Sequence, residues 1–64
     1  MKPEDLYDGQ PVALNREYNG LPKGFQGRVL GYSPKDEKVL VKLNNKNRTE
    51  EKIPIKYLLG VLFN

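Results

Sequence analysis

Two glycines spaced three apart, Gly24 and Gly27, stand directly ahead of a short apolar strand pattern, Arg28-Val29-Leu30-Gly31-Tyr32. Glycine admits positive φ and close approach of neighbouring backbone, so the pair suits a sharp turn into a strongly bent strand. In a chain of 64 residues, a short bent strand predicts a sheet that curls onto itself. Such a chain buries only about 60% of the surface its unfolded form exposes, so its core is small. Cysteine and histidine are both absent. No disulfide staples the fold, and a zinc site of Cys/His type is excluded.

Apolar alternation places the remaining elements. Pro3-Glu4-Asp5 opens one helical turn, with Leu6 and Tyr7 as apolar anchors and Asp8-Gly9 as a turn. Gln10 to Leu14 is the first strand, with Val12 and Leu14 on one face; Pro11 argues that it begins at a sheet edge. Asn15 to Pro22 is a loop containing the turn dipeptide Asn19-Gly20. In the second strand, Phe25 to Tyr32, the alternation points Gly27, Val29 and Gly31 inward and Arg28, Leu30 and Tyr32 outward. Lys38 to Leu43 follows a tight polar hairpin, with Val39, Val41 and Leu43 inward and Lys38, Leu40 and Lys42 outward. The polar connection 44–49 has three asparagines, which tolerate left-handed backbone angles. A fourth strand starts at Glu50, carries Ile53 and Ile55 on one face and stops at Pro54, which cannot donate to a ladder. Lys56 to Leu59 then forms one helical turn, and Gly60 to Phe63 a short closing strand. Five short strands joined by short connections favour one domain over residues 1–64, an all-β chain built as a small antiparallel barrel.

The residues that carry this reading resemble a KOW motif in an SH3-like barrel: Gly9-x-x-Val12-x-Leu14, Lys23-Gly24-x-x-Gly27-x-Val29-Leu30 and Val39-x-Val41. Ile53-Pro54-Ile55-Lys56-Tyr57-Leu58 is similar to the strand, single helical turn and final strand that close many SH3-type barrels. The resemblance implies a five-stranded SH3-like antiparallel barrel with one short helical turn before the last strand. It implies a non-catalytic role, contacting RNA, DNA or neighbouring proteins through the loop before the second strand and the outer strand faces. In this chain those positions are Arg16, Tyr18, Lys23, Arg28 and Tyr32. Other small barrels serve as accessory subunits of larger complexes, and those of the SH3 class bind proline-rich peptides in an aromatic groove. Here Tyr7, Pro54 and Tyr57 occupy comparable places, but tryptophan is absent and that groove is incomplete.

The residue chemistry agrees with a non-enzyme. Without His or Cys, the usual general base and the strongest nucleophile are missing. Asp36-Glu37 and Glu50-Glu51 are adjacent pairs, and neighbours on a strand point to opposite faces. No calcium-loop spacing surrounds Asp5 and Asp8, and no cofactor motif is present. Gly24-x-x-Gly27 lacks the Gly-Lys-Ser/Thr helix start of a phosphate loop.

Charge is what remains. Residues 1–21 hold two cations against four carboxylates, and residues 22–64 hold nine against four. Lys42 and Lys52 are expected on one surface of neighbouring strands, with Lys46 and Arg48 at its rim. Such a strip would bind phosphates in a salt-sensitive, sequence-independent way. Nucleic acid is therefore the expected partner, through Arg16, Tyr18, Lys23, Arg28, Tyr32, Lys42, Lys46, Arg48 and Lys52, with the tyrosines offering rings to bases. The alternative is a protein-interaction or assembly subunit using an apolar patch of Leu30, Leu40, Leu59, Leu62 and Phe63, which also admits a homodimer. No apolar run approaches the 20 or so residues of a membrane helix, and the first residues lack the apolar segment of a secretory signal. The expectation is a soluble cytoplasmic protein with no membrane partner.

Overall fold

A computed structural model describes residues 1–61. The chain is all-β apart from two 3-10 turns. Its strands are β1 (Pro11–Leu14), β2 (Gln26–Ser33), β3 (Lys38–Leu43), β4 (Glu50–Pro54) and β5 (Leu58–Gly60). Pro3–Asp5 and Ile55–Tyr57 form the 3-10 turns. All five strands belong to one antiparallel sheet in the order β4-β3-β2-β1-β5. The ladder is open, since β4 and β5 are its ends and do not pair.

The open sheet is nevertheless bent. A flat sheet of five strands would set β4 and β5 roughly 19 Å apart. Yet Ile53 of β4 and Leu58 of β5 share one buried cluster with Val12, Leu14, Val29, Val39, Val41, Leu43 and Ile55. Each such side chain contributes about 1.5–3 kcal/mol on leaving water, and bending the sheet brings them together on one face. Gly27 of β2 faces this cluster, close against β3. A Cβ there would meet Val41 Cγ1 at 2.6 Å and the Lys42 carbonyl oxygen at 2.7 Å, so only glycine lets β2 lie this close to β3.

Four features of the fold differ from the expectation. Pro11 opens an interior strand, between β2 and β5, rather than an edge strand. As the first residue of β1 its missing N–H costs no ladder bond there, and its carbonyl accepts from the Val61 amide at 3.2 Å. A second difference is a bulge in β2. Val29 pairs with Val41 and Gly31 with Leu40, leaving Leu30 as the extra residue. The slip reverses the faces beyond it. Gly31, expected inward, lies opposite outward Leu40, and Tyr32, expected outward, lies opposite buried Val39 and packs on the core. Third, the helical turn starts at Ile55 and ends at Tyr57, so the last strand begins at Leu58 instead of Gly60. The end of the expected closing strand, with Leu62 and Phe63, lies outside the described residues. Fourth, Tyr7 is 60% exposed and is not among the described residues packed on the core, whereas Leu6 is.

The long loop between β1 and β2 is built rather than loose. Asn19 and Gly20 take φ of 52° and 83°, and Tyr18 and Leu21 exchange backbone hydrogen bonds of 2.9 and 2.8 Å across them, a tight primed turn. Asn15 Nδ2 donates to the Lys56 carbonyl at 2.9 Å, and Asn19 Nδ2 to Glu51 Oε1 at 2.8 Å. These bonds tie the loop to β4 and to the Ile55–Tyr57 turn.

Candidate nucleic-acid interface

The register defines one outer face across β2, β3 and β4. Arg28 lies opposite Lys42, and Lys42 opposite Glu50. The next row is Gly31, Leu40 and Lys52, with Leu30 bulged beside it. The last is Ser33, Lys38 and Pro54. Four cations therefore share this face with one carboxylate, Glu50. Glu51 is not a second one: it lies opposite buried Val41, at the core side, and accepts from Asn19.

At one end of this face is a recess of about 250 Å³, lined by Pro11, Gln26, Gly27, Arg28, Lys42, Leu43, Asn44 and Arg48. No carboxylate is among its lining residues. Gln26, Arg28, Lys42 and Asn44 reach it because they alternate with the inward residues Gly27 and Leu43. Arg28 Nη1 also donates to the Gly9 carbonyl at 3.0 Å, which fixes one edge of its guanidinium. Arg48 comes from the β3–β4 connection with φ of 48°, in the left-handed region that side chains rarely adopt. The expectation gave that conformation to an asparagine. Instead, Asn45 clamps the connection: its Nδ2 donates to Thr49 Oγ1 at 2.7 Å, and its Oδ1 accepts from the Thr49 amide at 3.0 Å. The clamp carries the strain and delivers Arg48 to the recess.

The nine expected nucleic-acid residues thus separate. Arg28, Lys42 and Arg48 meet at the recess, Lys52 lies further along the same face, and Lys46 is exposed two residues before Arg48. Lys23 is exposed in the turn before β2 and does not line the recess. Tyr32 is removed to the core side by the bulge. Arg16 and Tyr18 belong to another cluster, with the Arg16 guanidinium carbon 4.7 Å from the centre of the Tyr57 ring. The Tyr18 ring centre is 5.5 Å from that of Tyr57, tilted 54°, and Tyr18 Oη reaches the Lys52 carbonyl at the long distance of 3.5 Å. Those aromatic surfaces are engaged in holding the loop. Of the apolar positions, Leu30 and Leu59 are 38% and 45% exposed, whereas Leu40 is half-buried. Leu59 lies two strands from β2, opposite Ala13, so it forms no single patch with Leu30 and Leu40.

Sequence reasoning missed Gln26 and Asn44, whose carboxamides share the recess with the cations. Their signal was present: each lies two residues from an outward cation on the same strand face. A second recess of about 250 Å³, lined by Asp36, Glu37, Pro54, Ile55, Lys56 and Tyr57, carries both signs of charge. Among the described residues no group of three or more carboxylates is placed to hold a metal ion. No helix among them is long and apolar enough to cross a membrane. Comparison with protein-family models, with curated proteins and with solved structures finds no match to this chain.

Proposed function

We propose that this protein is a non-catalytic small barrel of the SH3-like, KOW-type class that binds nucleic acid through the outer face of β2, β3 and β4. The observation that carries this reading is the recess where Arg28, Lys42 and Arg48 converge without a lining carboxylate. Guanidinium groups offer forked donors to phosphate oxygens, and Lys42 adds a point charge. Gln26 and Asn44 supply neutral donors and acceptors beside them. The barrel assignment is supported by the bent sheet and by the 3-10 turn between β4 and β5, where the resemblance expects a single helical turn.

With about four phosphates neutralised by Arg28, Lys42, Arg48 and Lys52, log affinity should fall with log salt at a slope near −3.6. Titration of a labelled oligonucleotide at about 50 and 200 mM salt should then show a roughly hundred-fold loss. No binding at low salt, or binding indifferent to salt, refutes the reading.

A second reading is an assembly subunit that meets a protein or another copy of itself through its apolar positions. Leu59 favours it, being 45% exposed on β5, which ends the sheet among the described residues. Light scattering that reports a strictly monomeric protein across a wide concentration range counts against self-association.

A further inference from the structure

We infer that the recess takes the end of a nucleic-acid strand: a terminal phosphate monoester sits among Arg28, Lys42 and Arg48, and the strand runs on along the outer face past Lys52. This rests on the nucleic-acid reading above and adds how the strand is held. The recess is small. At about 250 Å³ it lies below the ~300–1,000 Å³ of pockets that enclose a whole drug-sized ligand. It therefore receives one group of a larger molecule. Its cations come from three segments, Arg28 from β2, Lys42 from β3 and Arg48 from the β3–β4 connection. Gln26 and Asn44 add carboxamide donors, and no carboxylate lines it. Lys52 stands one row further on, roughly 7 Å along the strand from the Lys42–Glu50 pair.

Charge and donors in the recess both exceed what one internal linkage uses. A phosphodiester carries a single negative charge and two oxygens outside the chain. A terminal monoester carries about −1.5 to −2 at pH 7 and three strong acceptor oxygens. Internal linkages engage the cations of the outer face one apiece; a monoester engages those of the recess together. The site is also held ready. Arg28 Nη1 donates to the Gly9 carbonyl at 3.0 Å, and the Asn45–Thr49 clamp fixes the connection that carries Arg48. A connection already ordered loses little freedom on binding. Among the described residues, the charged groups around the recess are Arg28, Lys42, Arg48, Lys46 in the same connection, Glu50 across from Lys42, and Asp8 beside Gly9. The chain has no histidine, the side chain that ordinarily changes charge between pH 5 and 8. The second ionisation of a phosphate monoester does fall there, near pH 6. Binding of the end should therefore strengthen as pH rises through that value, because the ligand gains its second negative charge.

The test uses unlabelled single strands of about ten nucleotides as competitors of a labelled one, at about 50 mM salt. The strands carry hydroxyl ends, a 5′ phosphate or a 3′ phosphate, and a further strand with hydroxyl ends is two nucleotides longer to match the added charge. At about pH 7.5 a phosphate at one of the two ends should raise affinity about tenfold, well beyond the gain of the longer strand. Near pH 5 that gain should shrink to about threefold or less. Lys42→Gln should abolish the gain, whereas Lys52→Gln should weaken every strand alike and preserve it. A gain no larger than that of the longer strand overturns the inference, as does one that survives Lys42→Gln or is the same at both pH values. So does a mononucleotide that competes as well as the phosphorylated strand, which would make the recess a site for free nucleotide. In those outcomes the nucleic-acid reading still rests on its salt titration. Failure of every strand to bind removes both.

Discussion

Arg48 is held at φ of 48°, a conformation that costs an L-residue roughly 1–2 kcal/mol. Replacing it with glycine relieves that strain but adds roughly 0.5–1 kcal/mol of unfolded-chain entropy. Arg48→Gly is therefore expected to leave the melting temperature unchanged or slightly raised. The same change removes one phosphate contact, so oligonucleotide affinity at low salt should fall several-fold and the salt slope should shrink by about one. A variant that loses stability and binding together would mean that Arg48 is a structural residue. Gly27 has the opposite signature. Its added methyl would meet the Lys42 carbonyl at 2.7 Å, and backbone gives way less easily than a side-chain tip. Gly27→Ala should cost about 1–3 kcal/mol. In a domain of this size that lowers the thermal midpoint by roughly 4–8 °C per kcal/mol, readable by circular dichroism.

At the level of elements, what the sequence made legible depends on whether alternation survived. Val39, Val41 and Leu43 were readable as core because β3 is regular along its length. Tyr32 was not, because one inserted residue reverses every later side chain, and nothing in Val29-Leu30-Gly31 separates a bulge from a plain strand. Leu58 and Leu59 are ambiguous in the sequence because an apolar pair after Lys56-Tyr57 fits either a helical turn or a strand. The 3-10 turn closes after three residues, with the Leu58 amide bonded to the Ile55 carbonyl. The candidate site was half legible. Parity alone places Arg28, Lys42 and Lys52 outward, but Arg48 depends on a clamp made by Asn45 and Thr49. Tyr18 packs on Tyr57, a residue 39 positions further along the chain, and local spacing does not reveal that partner. That partnership is testable. Tyr57→Ala removes the ring shared by Tyr18 and Arg16, worth about 1–2 kcal/mol together. Hydrogen exchange should speed up at the Tyr18 and Leu21 amides, while oligonucleotide affinity stays near the wild-type value. Unchanged protection at those amides would show that the backbone bonds alone hold the loop.

For the whole molecule, the question is whether binding follows total charge or its placement. The chain carries a net charge of +3, and at low salt any modest cation excess attracts a polyanion to some degree. Two reversals separate the possibilities because each subtracts two units and leaves the net charge at +1. Lys52→Glu places a carboxylate on the outer face, in the row with Leu40 and diagonal to Lys42. Arg16→Glu places one beside Tyr57, in the loop packed on the other side of β4. If only total charge matters, both variants weaken binding equally. If the face matters, Lys52→Glu should cost about tenfold or more at low salt, while Arg16→Glu changes affinity by no more than about threefold. A Debye length near 10 Å at about 0.1 M salt sharpens the contrast, since it screens the distant site before the near one. Running both variants at two salt concentrations therefore also measures how far the attraction reaches. Equal losses that vanish together as salt rises would reduce the basic face to a contribution to net charge.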